Sequence, residues 1–252
     1  MDSPERVTAP ALSLRLDLAW ALVLTTTVCL AAALTWRLPA GFLVIAATLF
    51  ALLAWCVLRH WPADQDFGPA NRTTLARAAL VILLVSSAPF LPGSGAEPAV
   101  GQLWIYAAIA LLALVLDGVD GALARALGCQ SSFGARFDME LDAALMLGLC
   151  LAVMALDRAG AWVLALGLMR YAFVTAGLFL PWLTAPLPDS FRRKTVCVWQ
   201  LVTLMVALLP PVSPAFASIT LATALVLLVW SFALDICWLY HRRSSHEPRH
   251  ND

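Results

Sequence analysis

Eight long apolar runs dominate this chain and limit what it can fold into. They lie at 18–36, 40–58, 73–92, 99–117, 139–157, 161–180, 195–211 and 215–240. A helix needs about 20 such residues to cross the hydrocarbon layer of a membrane. Helix-breaking residues separate the runs: Pro39, Pro62 and Pro69, the stretch 91–98, Pro181 with Pro186 and Pro188, and Pro210 with Pro211 and Pro214. Hydrophobic residues make up 62% of the chain and charged residues only 13%, against about 25% in soluble domains. No soluble core hides that much apolar surface. The expected fold class is an all-α membrane protein of about eight transmembrane helices.

Charge placement supplies an orientation. With the N-terminus cytoplasmic, Arg6, Arg15, Arg59, Arg72, Arg77, Arg125, Arg136, Arg192, Arg193, Lys194, Arg242, Arg243 and Arg249 fall on the cytoplasmic side. Only Arg37 and Arg158 fall outside, and Arg170 lies within a span. This positive-inside bias predicts both termini in the cytoplasm and an even number of spans. Trp36, Trp61, Trp162 and Trp182 sit near predicted span ends, where amphipathic rings are favoured. The N-terminus has no cleavable signal pattern, so the first run is expected to stay as an anchor, in a plasma or inner membrane. A net charge of zero gives no pull on nucleic acid. The six cysteines are scattered, without the spacing of a disulfide framework or zinc site.

One polar stretch breaks the pattern. Asp117, Asp120, Asp138 and Asp142 fall within 26 positions, beside apolar runs. Carboxylates in membrane helices are expensive and mark functional sites by default. Helical positions three or four apart share a face. Asp117, Asp120, Gly121 and Ala124 therefore form one stripe, and Asp138 with Asp142 another. Gly128 and residues 131–134 predict a reversal that turns the stripes toward each other. Four carboxylates in one small volume repel by several kcal/mol unless cations lie between them. Oxygen donors without His or Cys select hard ions such as Mg²⁺, Mn²⁺ or Ca²⁺. A merely solvated helix end would be served as well by Glu and Lys, and this stretch has no Lys.

The pattern Asp117-x2-Asp120-Gly121-x2-Ala124-Arg125-x8-Gly134-x3-Asp138-x3-Asp142 resembles the signature of the CDP-alcohol phosphatidyltransferases at every fixed position. Eight specified residues would coincide by chance roughly once in 10¹⁰ starting positions, so composition does not account for it. Asn71-x2-Thr74-x2-Arg77 resembles the element that opens the family's first core helix. Arg193-Lys194-Thr195 resembles a later basic element. The resemblance implies a six-helix core within 61–252, running from about 68 to 241, with 1–60 supplying two additional N-terminal helices. It also implies transfer of a phosphatidyl group from CDP-diacylglycerol to a small alcohol, with release of CMP, in phospholipid biosynthesis.

The same resemblance divides the aspartates. Asp117, Asp120 and Asp138, with Asp142 beside them, would hold two divalent ions, Mg²⁺ or Mn²⁺, and Asp142 would be the general base. Asn71, Thr74, Asp120, Gly121, Ala124, Arg125 and Gly134 would bind the nucleotide. The family often pairs into homodimers. For the acceptor, Arg77, Arg136, Arg170, Arg193 and Lys194, together with Arg192, form a candidate basic pocket suited to a phosphorylated polyol such as glycerol 3-phosphate or inositol phosphate. Arg170 lies deep in its span and needs a partner or a watery cavity. Choline, serine, ethanolamine or inositol are the alternatives. A divalent-cation transporter would need carboxylates near mid-bilayer in several helices, and a non-catalytic scaffold would tolerate a degraded motif.

Overall fold

The computed structural model describes residues 5–61, 67–91, 100–126, 131–188 and 190–244, without the side chains of 5–12, 120, 123–125, 132 and 243–244. Among the described residues eight α-helices run in chain order: α1 Glu5–Thr35, α2 Ala40–His60, α3 Gly68–Ser87, α4 Val100–Ala126, α5 Ser132–Ala155, α6 Leu164–Phe179, α7 Phe191–Ala207 and α8 Pro214–Ser244. Short 3-10 turns precede or follow three of them, and no strand occurs among the described residues. Each apolar run of the sequence corresponds to one helix.

Among the described residues six segments are long and apolar enough to cross a membrane: Ser13–Thr35, Ala40–His60, Gly68–Phe90, Val100–Val119, Ala161–Phe179 and Pro214–Arg242. The expectation of eight such spans is thus met by six on these grounds. The two others fall short for different reasons. The first turns of α5 carry Arg136, Asp138, Glu140 and Asp142, and α7 has only 17 residues and opens on Arg192, Arg193 and Lys194.

The hub of the bundle is α3. Two thirds of its spanning window is buried (67%), against 22–28% for the other five spans. It packs against α1, α2, α4 and α5. Its buried Ser86 and Ser87 donate to the carbonyls of Ile82 and Leu83, so both hydroxyls are satisfied within the helix. Tyr106 of α4 donates to the Leu84 carbonyl at 3.0 Å. Paired with the Arg77–Asp117 contact, this shows α4 running antiparallel to α3. By contrast α5 runs parallel to α3, because Arg77 meets Asp138 and Asp142 while Val85 meets Gly148.

Small residues permit these close approaches, as is usual where lipid supplies no hydrophobic drive between helices. A Cβ on Gly148 would lie 2.8 Å from a Val85 methyl and 3.3 Å from its Cα. The helix ends use a different device. Arg37 and Asp157 adopt φ 52 just past α1 and α5, and the following amides reach back to the Ala33 and Val153 carbonyls. These are Schellman-type caps built without glycine.

The architecture brings the ends of three helices to one level. The C-terminal turns of α4 meet the N-terminal halves of α3 and α5. All the motif aspartates lie at that level.

Candidate functional site

The site is assembled around Arg77. Its side chain is 1% exposed and its guanidinium reaches carboxylates from two other helices. Nη1 donates to Asp117 on α4, whereas Nη2 lies 2.9 Å from Asp138 Oδ1 and 2.9 Å from Asp142 Oδ1 on α5. The three aspartates are half-buried, with side-chain exposures of 30%, 37% and 40%. One cation therefore faces three carboxylates, a formal charge of −2 before Asp120 is added. The predicted facing of the two aspartate stripes is realised for these three. The side chains of Asp120, Ala124 and Arg125, and residue Gly128, lie outside the described residues.

The donor set fits a hard divalent cation. Ligand oxygens of Asp117, Asp138 and Asp142 come within 4.8 Å of one another. These three residues would hold such an ion, which would supply positive charge to the cluster. No thiol or imidazole belongs to this group. The excess negative charge calls for further positive charge beyond Arg77.

Beside the carboxylates, α5 begins on a tight cap. Ser131 Oγ accepts from the Gly134 amide at 2.9 Å. Asn71 is buried and donates to the Phe67 carbonyl at 2.6 Å. A Cβ on Gly134 would lie 2.7 Å from Asn71 Oδ1 and 3.0 Å from Ser131 Oγ. Glycine is thus required here by the close approach of α3 to α5, bringing together two of the expected nucleotide residues. Thr74 is buried one turn on and donates to the Ala70 carbonyl, and Gly121 is half-buried on α4.

Asp142 also lines a cavity of about 530 Å³ enclosed by α5, α6, α7 and α8. Arg170 and Arg193 line it too, with Gln200, Ser231 and Asp235. The five basic residues expected at an acceptor pocket are therefore divided by the structure. Arg170 and Arg193 face this cavity. Arg77 lies in the aspartate cluster, Arg136 faces a separate groove, and Lys194 is exposed and lines neither.

Three residues absent from the sequence-based site stand beside the arginines. Glu140 pairs with Arg170. Asp235 lies 2.5 Å from Arg192 and 3.3 Å from Arg193, and Arg192 also donates to Ser231 Oγ at 2.6 Å. Gln200 is 3% exposed, and its amide nitrogen has no hydrogen-bond partner among the described residues. A carboxylate buried in a spanning helix was the available signal for Asp235.

Residues 67–230 match the family CDP-alcohol phosphatidyltransferase. The chain belongs to that family. No curated protein and no solved structure matches it. The match covers α3 to α7 and most of α8, and starts after α2. Members generally use a divalent metal, and this chain is a membrane transferase of phospholipid biosynthesis. That membership sets aside the transporter and scaffold alternatives.

Proposed function

We propose that this enzyme transfers the phosphatidyl group of CDP-diacylglycerol to a small alcohol at the Asp117–Asp138–Asp142 cluster and releases CMP. The observation that carries this reading is the double position of Asp142. It belongs to the carboxylate cluster and also lines the cavity that bears Arg170 and Arg193. A base that takes a proton from an acceptor alcohol must stand where donor and acceptor meet.

Asp117, Asp120 and Asp138, with Asp142 alongside, hold two Mg²⁺ or Mn²⁺ ions in this reading. Bound there, such ions neutralise the pyrophosphate and the departing CMP. Asp142 accepts the hydroxyl proton as the alcohol oxygen attacks the lipid-bearing phosphorus, and the bond to the CMP oxygen breaks. Arg77 keeps the three carboxylates converged. Asn71, Thr74, Asp120, Gly121, Ala124, Arg125 and Gly134 form the nucleotide side, where Gly134 lets Asn71 of α3 pack against α5.

The acceptor reading is a phosphorylated polyol such as glycerol 3-phosphate, because Arg170 and Arg193 project toward Asp142's cavity. A second reading has its own support. Arg170 already pairs with Glu140 and Arg193 with Asp235, which favours a neutral or zwitterionic alcohol such as inositol, serine, ethanolamine or choline. The site opens to the cytoplasm of a plasma or inner membrane, consistent with the Lys and Arg bias. Residues 61–252 form the catalytic core, and 1–60 are an addition to it.

The test is CMP release by purified protein supplied with CDP-diacylglycerol, Mg²⁺ or Mn²⁺, and single alcohols. Activity with glycerol 3-phosphate or inositol phosphate is expected, and its loss in Asp142→Asn. A fully active Asp142→Asn protein overturns the mechanism. Turnover only with uncharged alcohols overturns the acceptor.

A further inference from the structure

A second cavity, of about 630 Å³, lies between α2 and α5, with α3 as its floor. Its walls are aliphatic: Leu49, Leu52 and Leu53 of α2, Val81 and Val85 of α3, and Ala144 of α5. Polar groups gather at one end, where α2 finishes and α5 starts. His60 and Arg136 stand there, with Arg170 and Glu140 nearby. An aromatic cluster flanks the same end. Trp61 meets Phe67 at 5.0 Å and Phe133 at 5.2 Å, and Phe133 stacks on Phe137 at 5.8 Å. The cavity is thus apolar along its depth and cationic at its mouth.

We propose that this groove binds one acyl chain of an anionic bilayer phospholipid, with Arg136 holding the phosphate. Arg136 is exposed and has no ion pair among the described residues. The mouth carries Arg136 and Arg170 against Glu140, an excess of one positive charge before any protonation of His60. One phosphodiester complements that excess. The groove adjoins the Asp142 cavity at Met139 and Arg170, which line both, but it extends along another face of α5. On α5, Phe133, Phe137, Glu140 and Ala144 occupy the side of the helix opposite the stripe of Asp138 and Asp142. In this proposal a chain lying in the groove belongs to a lipid other than the one whose phosphorus reacts at the carboxylates. Its outer wall is α2, which the family match does not include. The second N-terminal helix, α2, thereby acquires a role, that of completing a lipid site.

The test uses the full-length chain in phosphatidylcholine nanodiscs containing phosphatidylglycerol with a photoactivatable acyl chain. After illumination, the labelled residues are mapped by peptide mass spectrometry. Labelling across 49–57 and at Ala144 is expected at least fivefold above the lipid-facing Ile219 and Val226 of α8. Arg136→Gln should lower the groove signal at least threefold with the α8 signal unchanged. Leu52→Trp, which fills the groove from an exposed position, should do the same. Photoactivatable phosphatidylcholine should label the groove more weakly than phosphatidylglycerol. Equal labelling of groove and α8, or indifference to both variants, overturns the proposal. Displacement of the label by equimolar CDP-diacylglycerol would assign the groove to the donor's tail instead. Cross-linking of Cys56 between copies, with no lipid label, would assign it to a second copy of the chain. None of these readouts depends on catalytic turnover, so failure here leaves the proposed reaction standing, and the reverse.

Discussion

At the scale of single residues, Arg77 explains most about the site. Its guanidinium contacts Asp117, Asp138 and Asp142, and it is almost wholly buried. Removing one partner of a buried charge network typically costs about 3–5 kcal/mol, because the remaining charges are left uncompensated. Arg77→Ala is therefore expected to lower the thermal unfolding midpoint in detergent and to abolish CMP release. If the carboxylates hold divalent ions, millimolar Mn²⁺ should restore part of the lost stability, since the vacated volume and charge suit a cation. An Arg77→Ala protein as stable as the parent, with no response to Mn²⁺, would refute this account. Gly134 offers a finer probe. Gly134→Ala forces Asn71 or the Ser131 cap to move, and loss of an N-cap alone costs about 1 kcal/mol. The expected outcome is a modest fall in stability with a larger rise in KM for the CDP-linked donor than fall in kcat, measured by steady-state CMP release. The charge pairs also show where sequence reading stopped. The aspartates were legible because their spacing is helical and their chemistry is costly in lipid. Arg77 was legible as part of a motif, but its attachment to the aspartates needed the packing of α3 between α4 and α5. Glu140 sits within the motif at a position without a fixed residue, so nothing in the pattern announced it as the partner of Arg170.

At the scale of elements, all eight helices follow the apolar runs, since prolines and short polar stretches mark the breaks. The depth of each helix did not follow. The polar first half of α5 and the 17 residues of α7 take their places by packing on neighbours: α5 sits against α3 and α6, and α7 against α8. The cap after α5 supplies a stability test. Asp157 is exposed and holds φ 52, a left-handed conformation that costs a non-glycine residue roughly 1 kcal/mol. Asp157→Gly should raise the unfolding midpoint slightly without changing activity, because Asp157 lies at the end of α5 remote from the carboxylates. A destabilised variant would show that the Asp157 side chain makes a compensating contact. Removal of α1 and α2 should act in the opposite direction. Leu14, Leu18 and Ala21 of α1 and Val57 of α2 share a buried cluster with Phe67 and Leu75, and Asp17 pairs with Arg72 at 3.0 Å. A chain beginning at residue 61 exposes that face of α3. It should express poorly or aggregate in detergent, even though the family match begins only at 67.

At the scale of the whole molecule, orientation determines whether the site meets its water-soluble substrate. α4 ends, and α3 and α5 begin, at one membrane face, which places Arg77 and the aspartates together there. The turn carrying Asp157 lies at the other end of α5, and Ser190, just before α7, lies with the basic Arg192, Arg193 and Lys194. The positive-inside bias predicts a cytoplasmic position for the second group. With the native cysteines replaced, Ser190→Cys should react with a membrane-impermeant maleimide only after permeabilisation. Asp157→Cys should react in intact cells. The reverse pattern would turn the enzyme over and set its carboxylates on the outer face, away from cytoplasmic nucleotides. Labelling of both positions from one side would break the antiparallel relation that the bundle requires between these two ends. Only the expected pattern leaves Asp142 where a lipid held in the bilayer and an alcohol dissolved in the cytoplasm can reach the same carboxylate.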